Sequence, residues 1–208
     1  GDRLFVGVVV VNGADRLAAY MRADELHTTF NLDFLKCRLD VDDLRATIDN
    51  TLRAFAAAGP ATWTLSNHDE TRHLTRYGRE FTGVPLPPPY PFPTSDRALG
   101  ERRARAMLLV MAALPGSMYV YQGEELGLWE VEDLPDEVIA DPVWESSRHT
   151  IRGRDGCRLP LPWAGATAPF GFSPPGVTPW LPQPPRGLPA AQSTRPPNNG
   201  RCSRSTGA

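Results

Sequence analysis

"ATWTLSNHDETRHLTRYG", residues 61–78, opens as a short apolar run and turns polar at Asn67, His68 and Asp69. The apolar part is bounded upstream by Gly59 and Pro60 and downstream by charged residues, the pattern of a short buried strand over 62–67. A histidine beside an aspartate at the end of a strand sits where α/β sheets carry their chemistry. Whether such a sheet exists is decided by the flanks.

Upstream, Val41, Leu44, Ile48, Leu52 and Phe55 recur at helical spacing behind Asp40, Asp42 and Asp43, and Gly59-Pro60 stops the pattern. Before that helix, "ELHTTFNLDFL" (25–35) predicts a strand over 25–34, and "LFVGVVVV" (4–11) predicts a buried one. A short helix is expected between Asp15 and Met21. Downstream, Arg97 to Ala113 predicts a helix with "MLLVMAAL" largely buried and Pro115-Gly116 as its stop. A strand over 117–122 follows. Strand and helix alternate throughout, and right-handed crossovers turn that alternation into a parallel sheet. The class is α/β.

A chain of 208 residues, 41% hydrophobic and 22% charged, supports one sizeable core. A net charge of -2 with mixed signs gives no field for nucleic acid or an anionic membrane. The eight-residue apolar run at the start is too short to span a bilayer. Cys37, Cys157 and Cys202 are odd in number and form no C-x-x-C pair, so neither a disulfide framework nor a zinc site is indicated and a reducing cytoplasm is expected. Twelve of the 22 prolines lie beyond residue 159, and "GVPLPPPYPFP" (83–93) predicts a polyproline-like surface loop. Residues 185–208 hold too few apolar side chains to offset ordering entropy and are expected to be a disordered tail after a folded unit over 1–184.

Read singly, the polar motifs stay ambiguous. Asp69 beside His68 can hydrogen-bond adjacent sugar hydroxyls and stabilise an oxocarbenium-like transition state, yet Ser66 or Asp69 could equally cap a following helix. His68 and His73 are five apart, the wrong spacing for two metal ligands on one helical face. "YVYQGEELG" (119–127) reads as a strand entering a glycine turn with solvated glutamates, and "RGRDGCRLPLPW" (152–163) as a turn in which Arg154 pairs with a carboxylate or meets a substrate hydroxyl.

Read together and in order, "ELHTTFNLDFL", "WTLSNHDETRHLTRYG", "ALPGSMYVYQGEELGL", "DLPDEVIADPVWE" and "GRDGCRLPLPW" resemble glycoside hydrolase family 13, the α-amylase superfamily, in its bacterial α-glucosidase and oligo-1,6-glucosidase branch. The resemblance implies the C-terminal half of a (β/α)8 TIM barrel, about strands five to eight, and retaining hydrolysis of α-glucosidic bonds in oligosaccharides without a cofactor or metal. It makes Asp69 the transition-state-stabilising carboxylate, His68 and Arg154 substrate-binding residues, and Gln122, Gly123 and Glu124 rim residues. Relatives of this family that lost catalysis bind sugars or partners, and others such as trehalose synthases transfer glucosyl groups; both remain open. A half-barrel would also expose sheet edges, which favours self-association.

Two departures from the family pattern stand out. The general acid belongs in a V-G-E-x-W segment, and here "VGVVVV" (6–11) puts Val8 at the glutamate position. The nucleophilic aspartate belongs on the preceding strand and is expected upstream of Gly1. Valine transfers no proton, and a retaining glycosidase needs two carboxyl groups about 5–5.5 Å apart. Val8→Glu is therefore expected to leave p-nitrophenyl α-glucoside uncleaved by this chain, checked by release of nitrophenolate.

Overall fold

The computed structural model describes residues 3–22, 24–84, 90–174 and 176–183. The elements in chain order are β1 (Val6–Gly7), α1 (Ala14–Ala18), β2 (Thr28–Thr29), α2 (Leu32–Lys36), α3 (Val41–Phe55), β3 (Thr62–Thr64), α4 (His73–Tyr77), α5 (Arg97–Ala113), β4 (Ser117–Tyr119) and α6 (Pro142–Ser146). β1 pairs parallel with β2, Val6 opposite Thr28, and β3 pairs parallel with β4, Thr62 opposite Ser117. The expected βα alternation with parallel pairing is present, in short strands.

No backbone ladder joins β2 to β3 among the described residues; the two ladders are separate. The Thr62 hydroxyl bridges them instead. It donates to the Thr29 carbonyl at 2.5 Å and accepts from the Asn31 N–H at 3.1 Å. Asn31 extends the joint, because its Oδ1 caps α2 by accepting from the Phe34 N–H and its amide donates to Thr51 on α3. This cap explains why the predicted strand over 25–34 shortens to Thr28–Thr29: an Asn at the N-cap position favours a helix start over continued strand.

α3 begins as expected, with Asp40 Oδ1 accepting from the Asp42 and Asp43 N–H groups at 3.1 Å. Phe55 is buried and Leu44, Ile48 and Leu52 pack on the core, whereas Val41, on the first turn, is exposed. α5 starts at Asp96, whose carboxylate accepts from the Leu99 N–H. Its buried stripe is Gly100, Ala104, Met107 and Met111, at spacings of three and four. Leu108, Leu109, Val110, Ala112 and Ala113 are exposed, so of "MLLVMAAL" only Met107 and Met111 are buried rather than most of it: only one face of α5 meets the core. Gly100 lets α5 approach α4 closely, since a Cβ there would lie 2.4 Å from the Leu74 carbonyl oxygen.

The core gathers Leu17, Met21, Phe34, Phe55, Trp63, Leu65, Leu74, Tyr77, Met107 and Met111. Trp63 is its centre, edge-on to Phe34 and donating its indole N–H to the Pro115 carbonyl. The opening strand departs from expectation. Only Val6 and Gly7 pair, and Leu4, Phe5, Val8 and Val10 are exposed while Val9 and Val11 touch the core, because the outer face of β1 carries no covering layer among the described residues. The proline run 85–89 and the predicted tail from 185 lie outside the described residues. Among the described residues no helix is long and apolar enough to cross a membrane.

Thr62→Val keeps the shape of the side chain but removes the bridge, leaving the Thr29 carbonyl and Asn31 N–H buried without it. A loss of about 1–3 kcal/mol is expected from the orphaned groups, read as a lower urea midpoint.

Candidate active site

β3 ends at Thr64, and the chain then turns through Ser66 and Asn67 before reaching His68 and Asp69. Thr64 closes the turn by donating to the Ser66 carbonyl, and Asn67 Oδ1 accepts from the Asp69 N–H at 2.9 Å. Ser66 Oγ accepts from the His73 N–H at 3.0 Å, but the N-cap position of α4 is Arg72 and carries no side-chain cap, so neither Ser66 nor Asp69 holds the capping place that the sequence left open.

Asp69 Oδ1 accepts from two guanidiniums, Arg154 Nη1 at 3.1 Å and Arg158 Nη2 at 3.0 Å. Oδ2 faces His68 Nε2 at 3.6 Å. The structure thus brings three predicted residues together, His68, Asp69 and Arg154. The fourth, Val8, is 58% exposed just past β1 and carries no ionisable group.

Arg154 is more heavily engaged than the sequence indicated. Its Nε donates to Asp141 Oδ2 at 2.6 Å and its Nη2 to Asp141 Oδ1 at 3.3 Å, a two-pronged pair that fixes the plane of the guanidinium. The hydrogen bond to Asp141, with Asp69 adding to it, raises the Arg154 pKa further above its already high range. Burial alone would raise the Asp141 pKa, but the Arg154 guanidinium and the N–H groups of Val143 and Arg154 prevail and hold it below the usual carboxylate range. Asp155 steadies the pair from behind, its Oδ2 accepting from the Ala140 and Asp141 N–H groups. Arg158 is less committed, with Nε donating to the His68 carbonyl at 2.7 Å.

Four contributors were missed: Arg158, Asp141, Arg72 and Glu130. The first three lie inside motifs already singled out, and the signal for Arg158 was its place four residues after Arg154. Arg72, buried, positions the arginine-bearing turn: Nη1 donates to the Gln122 carbonyl and Nη2 to the Cys157 carbonyl, both at 3.0 Å, over the ring of Tyr121. Tyr121 donates to the same Cys157 carbonyl. The "YQG" turn is therefore a support for the 154–158 turn. Glu124 is buried rather than solvated, 3.4 Å from His73 Nδ1, which also lies 2.8 Å from Ser66 Oγ.

A cavity of about 990 Å³ opens beside Asp69, lined by Asp141, Gly153, Arg154, Glu130, Glu132 and several apolar side chains. Glu130 Oε2 accepts from the Arg72 N–H at 2.9 Å, and loss of water pushes its carboxyl up to about 8.

The alpha amylase catalytic domain family matches residues 17–187.

The chain belongs to the α-amylase family.

Curated relatives that it resembles include alpha-glucosidases and oligo-1,6-glucosidases. A probable alpha-glucosidase of Rhizobium meliloti is 32% identical over 159 residues, covering 76% of this chain and 25% of that protein. An oligo-1,6-glucosidase of Parageobacillus thermoglucosidasius is 26% identical over 67% of this chain. The α-glucosyl transfer enzyme XgtA superposes with a TM-score of 0.67 at 29% identity, over 86% of this chain and 30% of that one. The chain spans about a quarter of the length of these curated relatives, so it covers part of a family TIM-barrel domain.

Glu130 sets a pH dependence. Between its ordinary value of 4.5 and its folded value of about 8, the folded protein holds a proton that the unfolded chain releases, so stability falls as pH rises through that window. Glu130→Gln is expected to flatten the fall, measured as urea midpoints at pH 5.5 and 8.5.

Proposed function

We propose that residues 1–184 are the strand-five-to-eight portion of an α-glucosidase-type barrel that acts on α-glucoside oligosaccharides, and that Asp69 is the carboxylate that steadies positive charge developing on the glucosyl ring. The observation that carries this reading is the placement of Asp69 past the carboxyl end of β3, clamped by Arg154 and Arg158 beside His68 on the wall of an open cavity.

The chemistry follows from charge. Cleaving a glycosidic bond builds positive charge across the anomeric carbon and ring oxygen, and a fixed negative carboxylate favours that state over the neutral sugar. Two guanidiniums on Oδ1 fix the carboxylate's orientation before substrate arrives, so little reorganisation remains. His68 Nε2 and the Arg158 guanidinium supply donors to ring hydroxyls from the same side. Arg154, committed to Asp141, acts chiefly as the strut that holds Asp69.

Bond cleavage also needs a nucleophile and a proton donor about 5–5.5 Å apart. Val8 supplies neither, and on this reading the chain alone holds a sugar without splitting it. The apolar residues left exposed just past β1 and on α5, among them Val8, Val10 and Leu109, support self-association as part of the same reading. Glucosyl transfer instead of hydrolysis is the second reading, favoured by the likeness to XgtA.

Calorimetry with maltose tests the site: the 208-residue chain is expected to bind, and Asp69→Ala to weaken binding at least tenfold. Heat of binding unchanged by Asp69→Ala overturns the assignment. Cleavage of maltose by the chain at the pace of an intact α-glucosidase overturns the claim that it only holds sugar.

A further inference from the structure

We propose that Asp141 is a positioning residue for the Asp69 carboxylate: by occupying the Nε–Nη2 edge of Arg154 it keeps that guanidinium from closing as a fork on Asp69, and so leaves Asp69 Oδ2 to a sugar. The inference rests on the proposed role of Asp69 at the glucosyl ring.

The first observation is how Asp69 is touched. Each guanidinium reaches it with a single arm, Arg154 through Nη1 at 3.1 Å and Arg158 through Nη2 at 3.0 Å, and both arms end on Oδ1. Oδ2 accepts no hydrogen bond among the described residues and has His68 Nε2 at 3.6 Å. Arginine frequently grips a carboxylate with two parallel N–H groups, one on each oxygen. Neither arginine does so here, and in each case the second arm is held elsewhere. Arg158 Nε donates to the His68 carbonyl, and Arg154 Nε and Nη2 donate to Asp141.

The second observation is that Asp141 is fixed. Its side chain is 1% exposed, whereas that of Asp69 is 38% exposed. Oδ1 accepts from the Val143 N–H at 3.1 Å, capping α6, and Oδ2 accepts from the main-chain N–H of Arg154 at 3.0 Å. Asp155 holds the Asp141 backbone N–H. Gly153, at φ +76°, lets the chain close over this carboxylate, since a Cβ there would lie 2.6 Å from Asp141 Cβ and Cγ. Of two carboxylates that share one guanidinium, the buried one keeps the fork, because water screens the exposed pair far more than the enclosed one.

The consequence follows from the charge of Asp141. With that charge gone, the remaining acidic partner of Arg154 is Asp69. A fork closed on Asp69 would engage both oxygens, neutralise the carboxylate that faces developing positive charge and take the acceptor that sugar hydroxyls need.

The test is maltose binding by calorimetry on the 208-residue chain carrying Asp141→Asn, alone and together with Arg154→Ala. Asparagine keeps the size and an acceptor for the Val143 N–H but not the charge. Asp141→Asn alone is expected to weaken binding about tenfold, within the range of coupled neighbours. Adding Arg154→Ala removes the fork and is expected to tighten binding again, about fivefold. A role of Asp141 in the fold alone predicts the opposite, a further loss when Arg154 goes. That further loss, or unchanged affinity in Asp141→Asn while Asp69→Ala still weakens binding, overturns the inference and leaves the role of Asp69 standing. Maltose heat that is absent, or unmoved by Asp69→Ala, overturns both. Should Asp141→Asn fail to fold, the double variant decides, because it buries no unpaired charge. It is expected to bind maltose within about tenfold of the wild-type chain, and a folded double variant that binds none overturns the inference.

Discussion

A single buried cation organises the part of the molecule that carries the site. Arg76 is 1% exposed and, in place of a carboxylate, is surrounded by main-chain oxygens: Nε donates to the Thr71 carbonyl, Nη1 to that of Thr82, and Nη2 to those of Leu35 and Leu65. Burial lowers its pKa, with neighbouring acidic groups opposing, but a guanidinium keeps its proton in proteins. A charge taken out of water costs several kcal/mol unless every donor is matched. The four carbonyls belong to the end of α2, the end of β3, the loop before α4 and the loop after it, so the demands of one side chain fix four separate segments. The turn that carries His68 and Asp69 lies between two of those anchor points, Leu65 and Thr71.

Arg72, Arg76 and Arg79 share one face of the chain around α4, at spacings of four and three, and divide the work of positioning. Arg72 reaches to the Gln122 and Cys157 carbonyls, Arg76 to the carbonyls beneath the turn, and Arg79 to Ser95 and Glu132. Arg154 and Arg158 then grip Asp69, an acidic group on the cavity wall. Asp69 is thus held from below through backbone and from above through charge, and neither support alone determines its direction.

Much of the fold was legible because it depends on local periodicity. The stripe from Leu44 to Phe55, the acidic start at Asp40 and the stop at Pro115-Gly116 are local signals and appear where they were expected. What was not legible depends on partners distant in the chain. In "FNLDFL" the helix-start signal of Asn31 competes with the β-capable residues around it, and Thr62 and Thr51, distant in the chain, hold it in the capping place. The burial of the arginines around α4 was not legible, because three buried guanidiniums become tolerable only once carbonyls and a glutamate from other segments surround them. The pairing of His68 with Asp69 could be read from adjacency, and Arg154 from its motif. Asp141 and Arg158 could not be ranked above their neighbours without the geometry of the 154–158 turn.

The hydroxyl bridge at Thr62 gives the sheet a seam. Two ribbons, each with its own ladder, meet along a line where the Thr62 hydroxyl, the Phe30–Tyr119 ring contact and the Arg76 guanidinium stand in for a continuous ladder. Loss of the hydroxyl would undo one fastening among these, and the acidic turn at the tip of the β3–β4 ribbon would stay tethered through Arg76.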